Sequence, residues 1–269
     1  MRTSICEFLS SKSFVLSLVA ALLTPSWVYA GNFSVSPVRV FMKPMERATA
    51  MTIVNHGDTE LVLETELTSW KQKPDGSFDQ QPTDDVIVAP PQMRLAPKGR
   101  QVIRIARVTP ALPSVQMTYR LLVREVPLAK AAQTGYTVNL ALAFSIPIFI
   151  TPPGFKYDVN CKLMMPAPVP AVSSPAIPGM PLPPPPPWMI ARCDNAGTAH
   201  ALITSVKLLD SVGVVLASSS QSGYTLASAG RNFELFKPAG AQAFGTGSLR
   251  LAISHDDGTQ QSVNVALPQ

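Results

Sequence analysis

Twenty-seven prolines, scattered through both halves of a 269-residue chain, set the tightest limit on its fold. Proline has no amide hydrogen and clashes with the preceding helical turn, so one such residue in ten rules out a long helical bundle and favours strands joined by turns. Hydrophobic residues make up 46% and charged residues only 14%, which supplies side chains for one or two cores and excludes a disordered chain. The basic excess, 22 Lys and Arg against 17 Asp and Glu, comes without a dense basic run and gives no indication of nucleic acid.

Residues 1–30 read as a secretory signal peptide. Arg2 and Lys12 precede the apolar run Phe14–Leu23, and Val28-Tyr29-Ala30 follows with small residues at two of the positions a signal peptidase reads. The run is shorter than the ~20 residues a spanning helix needs, so no membrane insertion is expected. Cleavage after Ala30 removes Cys6 and leaves Cys161 and Cys193, an even pair in a compartment where disulfides persist. The two are expected to bond to each other, closing a loop of 32 residues; two buried free thiols are the alternative. No His or third Cys stands at ligand spacing, so no metal and no cofactor is expected.

From Phe33 to Ile150 short apolar runs alternate with turn residues, the pattern of an all-β sandwich. Phe33–Phe41 opens it, Ala50–Val54 follows and closes at the turn Asn55-His56-Gly57-Asp58. Leu61, Leu63 and Leu67 then alternate with Glu64, Glu66 and Thr68. Tyr119–Val126 and Val138–Ile150 are the last two strands expected. Thr151-Pro152-Pro153-Gly154 reads as an interdomain joint, giving a first domain over residues 31–151 and a second over 152–269. Strands in the second are expected at Phe155–Leu163, Ala201–Leu209, Val212–Ala217, Phe233–Phe236, Ser248–Ile253 and Ser262–Leu267. Between the first two lies a loop over residues 166–187 in which 11 of 22 residues are proline. It reads either as a polyproline ligand or as an extended loop tied at its base by Cys161 and Cys193.

Catalytic signatures do not appear. His56, His200 and His255 show no HExxH spacing, no GxSxG elbow or phosphate-binding glycine loop occurs, and Gly245-Thr246-Gly247 lacks the third glycine of a dinucleotide fingerprint. Asp84-Asp85 and Asp256-Asp257 are adjacent carboxylates, and adjacent strand residues face opposite sides, so both pairs read as solvated turns. The chain is expected not to be an enzyme.

One strand is unusually long. Val138, Leu140, Leu142, Phe144, Ile146, Ile148 and Ile150 place seven apolar side chains on one face, while Pro147 on the other cannot donate a ladder hydrogen bond and favours a sheet edge. An apolar edge strand without a protecting lysine invites pairing with another chain. Either the whole face belongs to this domain's core, or its first half completes another protein's sheet.

Asn32–Phe41 with Arg39, Ile53–Gly57, Trp70, Val88-Ala89-Pro90-Pro91, Leu95–Arg104, Tyr119-Arg120-Leu121, Arg124–Pro127 and Val138–Ile150 follow one another across residues 32–151. In that order they resemble the periplasmic pilus chaperones of chaperone–usher systems. In the second half the likeness rests on Asp194-Asn195-Ala196-Gly197 and the alternating strand after it. The resemblance implies two immunoglobulin-like β-sandwich domains in a boomerang arrangement. It further implies a periplasmic chaperone, with pilus or fimbrial subunits and an outer-membrane usher as partners, that caps each subunit by donor-strand complementation. The positions matching the donated face are Val138, Leu140, Leu142, Phe144 and Ile146. The family's two-residue anchor for the subunit's C-terminal carboxylate maps onto Arg39 and, because the usual lysine position is Pro147 here, onto Arg120; this variant looks like the archaic branch. Arg104, Arg124 and Glu125 are expected to form an internal ion pair, Arg104 with Glu125, rather than to bind the subunit. The alternative, an exported fimbrial subunit or adhesin-like sandwich, would need an N-terminal donor extension, and residues 31–41 are too short and polar for one.

Overall fold

The computed structural model describes residues 33–73, 75–109, 111–127, 141–168, 185–238 and 248–268. These residues hold eighteen strands and no helix. The expected signal peptide, Val138, Leu140 and residues 169–184 of the proline-rich loop lie outside them.

Ten strands precede the Thr151-Pro152-Pro153-Gly154 joint: β1 (Phe33–Ser36), β2 (Val40–Met42), β3 (Ala48–Asn55), β4 (Leu61–Gln72), β5 (Phe78–Pro82), β6 (Val86–Ala89), β7 (Gln92–Leu95), β8 (Arg100–Arg107), β9 (Met117–Glu125) and β10 (Ala143–Ile150). One sheet runs β1-β3-β8-β6; the other runs β2-β10-β9-β4-β5, with β7 also on β4. Period-two alternation turns Met51 and Ile53, Ile103 and Ile105, and Tyr119, Leu121 and Val123 inward, where Leu63 and Ile148 meet them. Each fully buried aliphatic side chain contributes about 1.5–3 kcal/mol before ordering costs.

Phe33–Phe41, expected as one strand, divides in two. β1 pairs β3 in the first sheet and β2 pairs β10 in the second, so the chain crosses between sheets at Pro37, a residue with no amide hydrogen to contribute to either ladder. The consequence for β10 is the main fact of the fold. All eight of its residues pair antiparallel with β9, but only Ile148, Phe149 and Ile150 pair with β2, in parallel. Pro147 therefore stands where an edge becomes an interior strand, and from Ala143 to Pro147 no described strand covers the side away from β9.

The second sandwich holds β11 (Val159–Met164), β12 (Met189–Asn195), β13 (Ala201–Leu209), β14 (Val215–Ser219), β15 (Gly223–Thr225), β16 (Ala229–Leu235), β17 (Leu249–His255) and β18 (Gln260–Val265). Its sheets run β11-β12-β16 and β14-β13-β17-β18, with β15 on β13. Ala191, Ile203, Leu208, Phe233 and Leu251 are fully buried between them. The strand expected from Phe155 starts only at Val159, and β12 went unforeseen because the prolines before it mask a seven-residue alternation. Cys161 and Cys193 are directly opposite on β11 and β12 and are disulfide-bonded, which makes the proline-rich segment an excursion between two tied strands.

The two sandwiches share a turn device. Buried Asn55 accepts from the Gly57 amide (2.9 Å) and donates to the carbonyls of Thr59 (2.9 Å) and Ala96 (3.0 Å). Asn195 accepts from Gly197 (3.0 Å) and donates to Ala199 (2.8 Å) and Thr225 (3.0 Å). An asparagine side chain thus closes the same loop by the same Asx geometry in each half. At Gly197 a Cβ would sit 2.4 Å from the Lys156 carbonyl oxygen, so only glycine fits that approach.

Candidate functional site

Of the sequence-derived site residues, Arg39 and Arg120 are the two that the described residues bring to the cleft between the sandwiches. Arg39 sits immediately before β2, where the chain has just crossed between sheets, and its Nη1 donates to Asp256 Oδ2 of the second sandwich at 2.5 Å. That hydrogen bond, reinforced by Tyr224, holds the guanidinium pKa above its ordinary value despite partial burial. Asp256 stands in an exposed turn, as expected, and from there reaches across the cleft, while its neighbour Asp257 accepts from the Tyr157 hydroxyl at 2.8 Å.

Arg120 points toward the same Tyr224 from β9. Its Cζ lies 3.9 Å from the centre of the Trp70 ring and 5.9 Å from that of Tyr224, and Nη1 donates to the Ser145 carbonyl at 3.3 Å. Burial pushes its pKa down, and Nε is buried without a hydrogen-bond partner. Arg120 is opposite Pro147 in the β9–β10 register, so its guanidinium enters the cleft beside the residue at which the free edge of β10 ends. Both arginines thus flank one tyrosine, one held by a carboxylate and the other by aromatic faces.

Docking of the sandwiches is aromatic and amide-based. Phe149, wholly buried on the β10 face opposite Ile148, stacks on His200 with ring centres 3.8 Å apart and reaches Trp70 and Tyr224 at 6.1 and 5.7 Å. Gln72 donates to the Tyr224 carbonyl (2.9 Å) and accepts from the Leu226 amide (3.0 Å). Gln116 accepts from both the amide (2.9 Å) and Nδ1 (2.7 Å) of His200 and donates to Thr151 Oγ1 (3.2 Å). Burial lowers the His200 pKa to about 4, so the ring is neutral with its proton on Nδ1. None of Phe149, His200, Gln116 or Asp256 was assigned a place in the cleft from the sequence. Phe149 alone left a signal, a large aromatic ending a face otherwise small or polar.

The donated-face positions divide. Leu142 and Phe144 are half-buried at the rim of the first core, with Phe144 edge-on to Phe33 at 5.1 Å. Ile146 is 2% exposed and wholly inside that core, which corrects its assignment to a surface offered to another chain: its methyl groups are already in use. The Arg104–Glu125 pair is also corrected. Arg104 is exposed on β8 and Glu125 ends β9 in the other sheet, while Arg124 pairs with Glu64 directly opposite on β4. The cross-strand neighbour wins because it is within reach without crossing the core.

Residues 32–156 match the family of pili and flagellar-assembly chaperones, PapD N-terminal domain. Over 151 residues the chain is 27% identical to the probable fimbrial chaperone LpfB of Escherichia coli O157:H7, and over 142 residues 25% identical to the chaperone protein LpfB of Salmonella typhimurium. These matches cover 55% and 52% of this chain and 62% and 58% of the two relatives, so the chain matches about 60% of their length. A chain from the pre-assembly complex of CsuC with the tip adhesion subunit CsuE, from the archaic Csu pili of Acinetobacter baumannii, superposes with a TM-score of 0.61. That comparison spans 89% of this chain and 100% of the other at 15% identity, a likeness of fold: two β-sandwich domains.

Proposed function

We propose that this chain, whose residues 32–156 match the pilus-assembly chaperone family, is an ATP-independent periplasmic chaperone that binds fimbrial subunits by strand donation and passes them to an outer-membrane usher. The observation that carries this reading is the half-covered β10: among the described residues no strand covers its edge from Ala143 to Pro147, and that edge runs toward a cleft that holds two arginines. A subunit strand added to that edge would gain ladder hydrogen bonds, and its C-terminal carboxylate would arrive between Arg39 and Arg120. Val138, Leu140, Leu142 and Phe144 would fill the subunit's open core. A side chain that passes fully from water into that core gains about 1.5–3 kcal/mol; the half-buried Leu142 and Phe144 add a smaller share, and the sum holds an otherwise aggregating subunit even after ordering costs. Release then needs no nucleotide and no catalysis, because a neighbouring subunit's own extension replaces the donated strand. The relative named as a fimbrial chaperone and the family that residues 32–156 match support this role and the periplasmic location.

The test is co-expression in a bacterial periplasm with the fimbrial subunit encoded beside this chain, followed by co-purification. Wild type should yield a soluble one-to-one complex, and Leu140→Glu should abolish it while the chaperone stays folded. Equal recovery with Leu140→Glu would place that residue outside the contact and end the strand-donation reading.

A further inference from the structure

Arg39 is already occupied by a carboxylate. The Arg39–Asp256 pair is 2.5 Å long with side chains 39% and 32% exposed, so the contact is open to exchange with a carboxylate from solvent. Beside it lies a groove of about 820 Å³ lined by Phe41, Met42, Phe155, Tyr157, His200 and Asp256. Phe41 and Phe155, at 49% and 58% exposure, leave large apolar surface open to water there. Lys43 and Lys156 also line the groove, and among the described residues Asp256 is its only carboxylate. Apolar walls, two lysines and one exchangeable ion pair contributed by a lining carboxylate fit a single kind of occupant: an apolar side chain carrying its own carboxylate.

We propose that Asp256 is an internal stand-in for the subunit's C-terminal carboxylate, and that the adjoining groove receives the side chain of the subunit's last residue, selecting subunits that end in a bulky apolar or aromatic residue. This rests on the anchor reading above and goes beyond it by naming what the site selects and what it displaces. Binding exchanges one carboxylate for another on Arg39 and frees Asp256 in a groove that holds two lysines, so no charge is left without a counter-charge nearby. Asp256 keeps Arg39 extended across the cleft in the free protein, and the entering terminus meets a guanidinium already in position.

The test is fluorescence anisotropy on the full mature chain with fluorescein-labelled peptides of alternating valine and threonine. These end in Phe as the free acid, Phe as the amide, or Ser as the free acid. The Phe acid is expected to bind about tenfold more tightly than either of the others. Asp256→Asn should raise the affinity of both acids about threefold and leave the amide unchanged, since it removes the internal competitor from an exposed pair. Phe155→Ser, at an exposed position that leaves the cores intact, should abolish the preference for Phe over Ser while the acid still exceeds the amide. If acids exceed the amide but Phe and Ser ends bind alike in wild type, the groove has no such role and the anchor reading stands. If acid and amide bind alike, or no peptide binds, the carboxylate anchor itself fails and this inference with it. Self-association of the free chain that the Phe acid does not reverse would assign the groove to a second copy and overturn the proposal.

Discussion

Arg39 and Arg120 carry the same guanidinium in opposite settings, and their substitutions should separate stability from binding. Arg39 is partly exposed in an ion pair, an arrangement worth about 1 kcal/mol or less. Arg120 is desolvated over Trp70, where the cation–π contact contributes about 1–2 kcal/mol and its buried stem packs against the rings. Arg39→Ala should therefore lower unfolding free energy in urea by about 1 kcal/mol at most while abolishing subunit co-purification. Arg120→Met keeps the stem over Trp70, so it should be within about 1 kcal/mol of wild type and also lose the complex. Retention of the complex by both variants would remove the arginines from the contact. The arginines were visible in the sequence through the motifs around them. Asp256 was not, because its partner stands 217 positions away and the Asp-Asp-Gly run around it has the composition of an ordinary hairpin turn.

Along β10 the hydrophobic pattern is uniform but its use is not. In the sequence seven alternating apolar residues from Val138 to Ile150 mark a strand, four of them within β10, and the alternation is the same whether a side chain packs inside its own sandwich or against a partner. What divides the strand is pairing: β2 covers only Ile148–Ile150, and that strand's register depends on the chain crossing sheets at Pro37, a long-range event that local periodicity does not encode. Alternation did make most of the remaining strands legible, as in Met51 and Ile53 or Leu249, Leu251 and Ile253, but it left β12 hidden behind the proline run. The division has a measurable form. Ile146→Ala removes a buried side chain from the core and should cost about 2–4 kcal/mol in urea unfolding. Leu142→Ala, half-buried and ahead of the strand, should cost about 1 kcal/mol while reducing subunit recovery more than Ile146→Ala does. The opposite ranking, with Leu142 costly to stability and neutral to binding, would place the whole face in the core.

At the scale of the molecule the two sandwiches are held by a small polar and aromatic seam: Gln72, Gln116, Phe149, His200 and Tyr224 meet there, with Arg39–Asp256 at the cleft. Each sandwich is written locally in its own alternation. The seam is not, because its members come from strands and turns far apart and only the docked domains bring them together. His200 makes the seam sensitive to acid. Its pKa falls from 6.5 to about 4 on folding, chiefly through burial between the domains, with Arg39 lowering it and Asp256 opposing. As pH drops through 6.5 the unfolded chain takes up a proton that the folded chain refuses until about pH 4. Stability is therefore full above pH 6.5 and declines toward pH 4, by about 3 kcal/mol for a shift of this size. His255, also lowered by burial, acts with the same sign. Asp257 does not enter this window, since hydrogen bonds from Thr259 hold its carboxyl down to about 2. Urea midpoints measured from pH 7 to pH 4 should fall steadily for wild type and more shallowly for His200→Leu, which keeps an apolar contact with Phe149 but has no proton to gain. Parallel slopes for the two proteins would mean that His200 is solvated when folded and that the seam is looser than its 3.8 Å ring stack implies.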